Sequence, residues 1–309
     1  MKKLSILMAA HNEEKIIAKS LENLVSLPYE DYEILIGLDG CTDKTKEIVE
    51  KFSKISGKIK YYNLNLRKGK PSVINYLIKK SSGEIIIIQD ADWIFKVKDA
   101  KSMNNFLSIF NNRKIGGIAE SFPVEWNDNL KKGNLTYKMV AYSTFLWMKF
   151  QKERLAEEKG SLFYVKNPTM FLTNVFRKKL YKENISLGDD FERTQDIFNR
   201  GYEIVLFPQE TMPRMISSYR KINFKDFFKQ KIRTAVARKQ LNKTKRMQTS
   251  LRNYYIPSVW FILVNGWKTS FYIGLLMTAW IFLTSFATFL SIFKTLDTKK
   301  GWTLRAKRF

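Results

Sequence analysis

Two aspartates, Asp90 and Asp92, follow a run of four isoleucines that begins shortly after Gly83. An uninterrupted apolar run of this kind is typical of a strand buried on both faces in the middle of a parallel sheet. Ligands of open α/β sheets sit beyond the carboxyl ends of the strands, so we expect both carboxylates where a ligand is held. Their oxygens suit Mg²⁺ or Mn²⁺, and such an ion can bridge the diphosphate of a nucleotide. The alternative is a strand-end turn that carries two solvated acids.

A second pair of acids, Asp189 and Asp190, stands where a predicted helix begins that reaches residue 200. A positioned carboxylate can take the proton of an attacking hydroxyl group, and we predict Asp190 as that general base. Asp189 and Glu192 are the nearby alternatives for this role. Either aspartate could instead cap the helix, and one could cap while the other acts.

Strands and helices alternate at short spacing along the first 90 residues, which predicts a parallel sheet with right-handed crossovers. Predicted strands cover residues 4–10, 32–38, 58–64 and 84–89, and predicted helices cover 12–27, 42–52 and 72–80. The second half is less regular. We predict helices at 100–110 and 135–158, a helix that follows residues 187–190 and reaches residue 200, and strands at 115–119, 163–173 and 203–208.

The net charge is +25 with a pI near 9.9, which requires an anionic partner such as nucleic acid, lipid headgroups or a phosphorylated substrate. Thirteen Lys or Arg but only one acid lie between residues 214 and 252, interleaved with aromatic residues at helical spacing. This pattern predicts basic amphipathic helices that lie on a membrane surface. A solvated helix face and a nucleic-acid groove are the competing interpretations.

The segment that follows is apolar. Residues 270–293 hold 24 residues without a charge, long enough to span about 30 Å of hydrocarbon. Residues 253–267 are also uncharged but would reach only about 22 Å. Basic residues on both sides favour keeping both flanks in the cytoplasm, so a hairpin or re-entrant pair is expected, with one span plus an interfacial helix as the alternative. The single cysteine, Cys41, fits a reducing, cytoplasmic setting.

Residues 4–240 resemble the GT-A glycosyltransferases, specifically the inverting family 2. Residues 5–14 match the family's first strand and Asn-Glu turn, and residues 38–45 match its Asp-Gly-Ser-Thr-Asp-x-Thr signature, with Cys41 replacing the serine. Residues 65–70 resemble its Gly-Lys segment, and the Asp90 and Asp92 pair falls at the place of its metal motif.

Two later motifs extend the resemblance. Asp189 and Asp190 resemble the family's Glu-Asp pair, although Arg193 and Asp196 stand where Leu and Arg are usual. Residues 230–234 resemble the Gln-x-x-Arg-Trp motif of membrane-integrated polysaccharide synthases, with Thr234 replacing the tryptophan.

The resemblance implies transfer of a sugar from a nucleoside-diphosphate sugar, UDP-linked, with inversion. Mn²⁺ or Mg²⁺ held by Asp92, assisted by Asp90, would neutralise the leaving diphosphate. Lys70 and Arg233 would add cationic contacts to the donor, and Gln230 belongs to the same donor-binding motif as Arg233.

The resemblance also implies which residues contact the base of the nucleotide. Asp39 would accept a hydrogen bond from the imide N–H of the base, a group that uracil carries and cytosine lacks. His11 would stack on the base near Glu13. An ordinary histidine at a strand end is the alternative for His11.

We therefore predict a GT-A catalytic domain at residues 1–213, basic interfacial helices at 214–252, a membrane segment at 253–293 and a basic tail at 294–309. The expected location is the cell membrane, with the catalytic domain on the cytoplasmic side. The expected partners are a nucleoside-diphosphate sugar, a saccharide or lipid-linked acceptor and membrane lipids, without nucleic acid.

Three other functions stay open at this point. A polyprenyl-phosphate glycosyltransferase has an acceptor that is already anionic and requires no base, so the acid pair favours a hydroxyl acceptor. A sugar nucleotidyltransferase shares a similar sheet and basic loop. The high positive charge alone is also compatible with a non-catalytic membrane protein or a nucleic-acid-binding protein.

Overall fold

The structure is a computed structural model that describes residues 3–119, 124–125, 130, 132–183, 186–206, 213–218, 221–243 and 251–296. Predicted features that fall between these ranges, including the basic tail from residue 297 onward, lie outside the described residues.

The first four strands form the parallel part of the sheet, in the order β3-β2-β1-β4. They are β1 (Leu4–Ala10), β2 (Tyr32–Asp39), β3 (Ile59–Leu64) and β4 (Ile85–Asp90), joined by the helices α1 (Ile17–Val25), α2 (Thr45–Ile55) and α3 (Lys70–Lys80). The prediction of alternating strands and helices is confirmed.

The isoleucines of β4 are buried on both faces of the sheet. Ile85 and Ile87 belong to the core cluster on one face, and Ile86 and Ile88 to the cluster on the other. Full burial of one such side chain stabilises the fold by roughly 2 kcal/mol relative to exposure. This double burial explains why the strand carries no polar residue before Gln89.

The sheet continues beyond β4 as a mixed sheet of nine strands in all among the described residues, with the order β3-β2-β1-β4-β10-β6-β11-β9-β8. The additional strands are β6 (Ile115–Ala119), β8 (Ala156–Lys159), β9 (Leu162–Val165), β10 (Thr173–Arg177) and β11 (Glu203–Leu206). β10 runs antiparallel to both β4 and β6. A smaller sheet joins β5 (Ile94–Lys96), β7 (Val124–Glu125) and β12 (Arg214–Ser218) in the order β5-β12-β7.

The remaining helices are α4 (Ala100–Ser108), α5 (Leu135–Leu155), α6 (Asp189–Asn199), α7 (Phe224–Lys243), α8 (Leu251–Thr269) and α9 (Phe271–Ser291). α7, α8 and α9 pack against one another, and α5 packs on α8 and α9. Ser270 separates α8 from α9 and caps α9, since its hydroxyl accepts the amide hydrogen of Ile273 at 3.2 Å. Among the described helices, α9 is the one that is long and apolar enough to cross a membrane, by length and composition alone.

One predicted strand and one predicted helix in the second half have different bounds. The strand predicted at 163–173 is two strands, β9 and β10, because Pro168 cannot donate a ladder hydrogen bond and a turn follows it. The helix predicted at 135–158 ends at Leu155, since the next four residues form β8 and pair with β9.

Two further boundaries differ. The first helix begins at Ile17 rather than at residue 12, because the backbone at Glu13 and Glu14 is held in a turn by side chains of the next loop. The prediction of helices throughout 214–252 is wrong at its start. Residues 214–218 form β12, where Met215 is buried against β5. The division of the chain into four parts stays a prediction.

Candidate functional site

The carboxyl ends of β1, β2 and β4 meet at one edge of the sheet. β1 lies between β2 and β4 and is parallel to both, with Ala10 opposite Leu38 and Ala9 opposite Asp90. His11, Asp39 and Asp90 therefore leave neighbouring strands at the same edge, where open α/β sheets hold ligands.

The turn after β1 is fixed by the turn after β2. Asn12 has a φ of 54° and exchanges hydrogen bonds with Thr42: its Oδ1 accepts the Thr42 amide hydrogen at 2.8 Å and its Nδ2 donates to the hydroxyl at 3.0 Å. The Glu13 amide donates to Thr45 Oγ1 at 2.8 Å. His11 Nδ1 lies 2.6 Å from the carbonyl oxygen of Asp39, a distance at which an N–H donates to the carbonyl. The two turns thus position His11 and Glu13 together.

Asp39 organises the loop that precedes α3. Its side chain is fully buried, and its two oxygens accept the amide hydrogens of Lys68 at 2.6 Å and Gly69 at 2.9 Å. Gly40 is required beside it, because a Cβ there would lie 2.8 Å from the backbone nitrogen of Arg67, and its φ is +61°. Each carboxylate oxygen can accept a second hydrogen bond, so contact of Asp39 with a base stays a prediction.

Lys70 is the first residue of α3 and connects the two acid pairs. Its Nζ lies 2.7 Å from Asp90 Oδ1. Burial acts to lower the pKa of Lys70, but the charges of Asp90, Asp189 and Asp190 outweigh it and raise the pKa above the ordinary value. The structure therefore brings Asp90 and the adjacent pair Asp189 and Asp190, which lie about 100 residues further along the chain, to one lysine.

Asp190 has the electrostatics of a proton acceptor. Burial, followed by the charge of Asp189, raises the pKa of Asp190 to about 6, while Lys70 and Arg193 act in the opposite direction. One of its oxygens accepts the amide hydrogen of Phe191 at 2.9 Å. A carboxylate with a pKa this close to neutrality can accept and release a proton during a reaction.

Asp189 is held in the interior by a cation. The Nη1 atom of Arg193 lies 3.5 Å from Asp189 Oδ2, and both side chains are buried. Arg193 also donates from Nε to the carbonyl oxygen of Thr173 at 2.7 Å. Asp189 is held in its ion pair with Arg193, and Glu192 is fully buried. The geometry therefore favours Asp190 over both of them as the base. The assignment itself stays a prediction.

The turn after β4 carries the candidate metal ligands. The Trp93 amide donates to the carbonyl oxygen of Asp90 at 3.1 Å, and Ala91 between the two aspartates is fully buried. In the described part of the chain, no three or more His, Cys, Asp or Glu side chains form a cluster that could hold a metal ion. Two carboxylates nevertheless fit Mg²⁺ or Mn²⁺, since such ions often take one or two carboxylates together with substrate phosphates.

Gln230 and Arg233 lie on α7, which packs against the start of α6. The Leu187 amide donates to Gln240 Oε1 at 3.0 Å, and Leu187 packs on Ala237. Arg233 is one helical turn before Ala237, so it lies on the face of α7 that carries this contact. Its predicted contact with a donor stays a prediction.

The sequence profile of glycosyl transferase family 2 matches residues 5–179, more than half of the chain. The chain belongs to this family. The resemblance to family 2 noted from its motifs is thereby confirmed.

Similar proteins agree with the assignment. The probable glycosyltransferase YdaM of Bacillus subtilis is 29% identical over 219 residues, which cover 67% of this chain and 49% of that protein. The GalNAc(5)-diNAcBac-PP-undecaprenol beta-1,3-glucosyltransferase of Campylobacter jejuni is 22% identical over 193 residues, covering 59% of this chain and 62% of that protein. The match to the first of these relatives thus spans about half of its length.

A solved structure shares the fold. The mannosyltransferase PcManGT from Pyrobaculum calidifontis, in complex with GDP-Man and Mn²⁺, superposes with a TM-score of 0.58 at 15% identity and covers 98% of this chain and 86% of its own. The prediction of a GT-A-type, mostly parallel sheet with flanking helices is confirmed.

Several side chains around the site carry no signal in the sequence that predicts their role. Arg193 differs from the family pattern, but its ion pair with Asp189 depends on the fold of α6. Lys231 and Arg238 are seven residues apart, a spacing that places both on one face of α7 and could have identified them as a pair.

Proposed function

We propose that this chain is a metal-dependent, inverting glycosyltransferase. It would move a sugar from a nucleoside-diphosphate sugar to a hydroxyl group of a lipid-linked or growing saccharide at a membrane. The observation that carries the proposal is the position of Lys70 in a member of family 2. Lys70 is paired with Asp90, and the charges of Asp189 and Asp190 also raise its pKa. This arrangement supports binding of the donor diphosphate and of the acceptor hydroxyl at one edge of the sheet.

Asp92 and Asp90 are the residues that would hold Mn²⁺ or Mg²⁺. The ion, when bound, supplies positive charge to the leaving diphosphate. PcManGT, which shares the fold, is complexed with Mn²⁺ and a nucleotide sugar, which supports this choice of ion. Lys70 and Arg233 would add cationic contacts to the phosphate oxygens, Arg233 as a two-pronged donor.

The base of the nucleotide would lie beside His11, Glu13 and Asp39, on the ends of β1 and β2. We propose a UDP-linked sugar, because uracil has the imide N–H that Asp39 would accept. Guanine also carries a ring N–H, so the experiment below includes GDP-linked donors. Gln230 would contact the donor from α7.

Asp190 would take the proton of the acceptor hydroxyl as its oxygen attacks the anomeric carbon from the face opposite the diphosphate, which inverts the configuration. A pKa of about 6 leaves Asp190 mostly ionised at neutral pH, the form that accepts a proton. The requirement for a base is what separates a hydroxyl acceptor from an acceptor that is already anionic.

Membrane attachment through α8 and α9 is part of the proposal. α9 is uncharged, and large aromatic side chains remain exposed along it: Phe271 is 71% exposed and Phe282 is 70% exposed. Exposed apolar area of this size is unfavourable in water and favourable in lipid. The exposed basic residues of α7, Lys225, Lys229 and Lys239, would face anionic headgroups and keep the catalytic domain on the cytoplasmic side.

A hydrolysis screen tests the transferase function. Full-length protein is incubated with UDP-linked and GDP-linked sugars and with Mn²⁺ or Mg²⁺, and the released nucleoside diphosphate is measured beside the variant Asp92→Ala. We expect a loss of roughly a hundredfold or more in the variant, since charge stabilisation by the ion is worth several kcal/mol. Glu47→Ala, at an exposed acid of α2, is the matched control and should keep full turnover.

Equal turnover by Asp92→Ala and the wild type would remove the metal assignment. Partition of the full-length chain into the aqueous phase of a detergent extraction, together with tight and salt-sensitive DNA binding, would contradict the proposal in favour of a nucleic-acid-binding protein.

A further inference from the structure

A cavity of about 380 Å³ lies among α5, α7, α8 and α9. Its walls include the apolar side chains of Val140, Phe227 and Ile262. Phe191, the residue that follows Asp190 on α6, also lines it. The residue next to the proposed catalytic base therefore lines an apolar cavity that is built largely from the C-terminal helices.

Of the described residues that line this cavity, two are cations and none is a carboxylate. Lys231 and Arg238 are two turns apart on the same face of α7. Lys231 Nζ lies 4.4 Å from the ring centre of Trp280, and the Arg238 guanidinium lies 4.5 Å from that of Tyr255. Among the residues that the structure describes, neither cation forms an ion pair with an acid. Their positive charge is thus available to an anion inside the cavity.

The charge on Lys231 is costly in this place. Burial, together with the positive charge of Arg238, lowers the pKa of Lys231 to about 7. An anion beside the ammonium group would offset both effects and favour the protonated form. The site is therefore more favourable with an anionic ligand than without one.

Neutral polar groups in the walls also lack partners within the described part of the chain. The indole Nε1 of Trp280 and the hydroxyl of Thr284 are both buried and form no hydrogen bond there. Each can donate one hydrogen bond, and a buried donor without an acceptor costs free energy. A ligand with several acceptor oxygens would satisfy them.

We propose that this cavity binds the phosphate group of a lipid-linked acceptor. The phosphate lies at Lys231 and Arg238, the hydrocarbon chain lies along the apolar walls, and the sugar carried by the lipid points toward Asp190. The proposal rests on the proposed glycosyltransferase function, whose acceptor class it names.

Three features select this occupant. A free phosphate ion would gain nothing from the apolar walls, and an uncharged lipid would gain nothing from the two cations. A saccharide linked through a phosphate to a hydrocarbon chain combines both interactions, and Phe191, the residue after the proposed base, lies in the cavity wall.

The test measures binding in the absence of any nucleotide sugar, so that it does not depend on catalysis. Full-length protein in a non-ionic detergent is titrated with dodecyl phosphate, dodecanol and inorganic phosphate. We expect dodecyl phosphate to bind about tenfold or more tightly than either of the other two, because it alone combines both interactions.

Lys231→Gln and Arg238→Gln should each weaken binding of dodecyl phosphate about tenfold and leave binding of dodecanol unchanged. Lys229→Gln, at an exposed lysine of the same helix, is the matched control and should bind as the wild type does. Thermal unfolding of each variant verifies that it is folded. If one of the two cavity variants does not fold, the other carries the comparison.

Equal affinity of the cavity variants and Lys229→Gln for dodecyl phosphate would overturn the proposal, as would equal binding of dodecanol and dodecyl phosphate. Inorganic phosphate binding as tightly as dodecyl phosphate would overturn the lipid assignment. Nucleotide-sugar turnover is measured on the same preparations. Turnover without selective lipid binding would contradict this inference alone, whereas selective lipid binding without turnover would contradict only the transferase function.

Discussion

Replacing Asp189 with asparagine should move the acid limb of the pH–rate profile to lower pH and leave a general base in place. In the wild type, burial and the charge of Asp189 raise the pKa of Asp190 to about 6. Because the base must be ionised to accept a proton, activity should fall as the pH drops through about 6. Removing the neighbouring negative charge makes ionisation of Asp190 easier.

The size of the shift follows from the two charges that act on Asp190 from α6. Two like charges roughly 6 Å apart interact by about 3 kcal/mol at an effective dielectric constant of about 20, which corresponds to about two pKa units. Arg193 acts on the pKa of Asp190 in the opposite direction, and it does so both before and after the substitution. We therefore expect the limb to move to lower pH by about one to two units, because removal of Asp189 takes away its repulsion of the Asp190 charge.

The assay is kcat/KM for donor turnover across about pH 4 to pH 8, since this parameter reports the titrating groups of the free enzyme. Glu47→Gln, at an exposed acid of α2, should keep the wild-type limb. Asp190→Asn should lose roughly 10²-fold to 10⁴-fold in rate at every pH. An acid limb that stays in place in Asp189→Asn, or a fully active Asp190→Asn, would refute the reasoning.

Two stability predictions follow from the far end of the sheet. Burial opposes ionisation of Glu33, but hydrogen bonds lower its folded pKa from 4.5 to about 2. Glu33→Gln should therefore lower the free energy of unfolding by about 2 kcal/mol near neutral pH, and this loss should disappear as the pH falls through about 2. Urea unfolding across pH measures this effect, and the control Glu47→Gln should change the free energy of unfolding little. Gly83→Ala would place a Cβ 2.5 Å from the Ser5 backbone nitrogen and should lower the free energy of unfolding by about 1–3 kcal/mol. The control is Gly57→Ala, whose Cβ would meet no atom within 4 Å. Equal melting temperatures of the two variants would contradict this prediction.

The parallel half of the fold could be predicted from local patterns. β1 has the predicted bounds, and β4 was identified from its isoleucines, because a strand covered on both faces tolerates apolar residues at every position. The edge of the sheet that carries Asp39 and Asp90 followed from the parallel arrangement alone.

The error at β12 lies where the pairing partner is distant in the chain, whereas β8 pairs with β9, the strand that follows it. β8 was predicted as the end of a helix and β12 as part of a basic helix, since neither segment has a strongly alternating pattern. β12 is a strand because it pairs with β5, more than 100 residues earlier. A pattern within ten residues carries no information about such a partner.

The sequence by itself identifies Asp90 and Asp92 as a candidate metal site, because of their residue type, their spacing and their position at the end of a strand. The tertiary structure decided which charges surround the site: Lys70 lies between Asp90 and the acids of α6, and Arg193 holds Asp189. It also decided that α5, α7, α8 and α9 enclose a cavity that is lined in part by Phe191, the residue after Asp190. The physical reason is that the chemistry of a side chain is set by its covalent structure, whereas its pKa and partners are set by burial and by charges that only folding brings near.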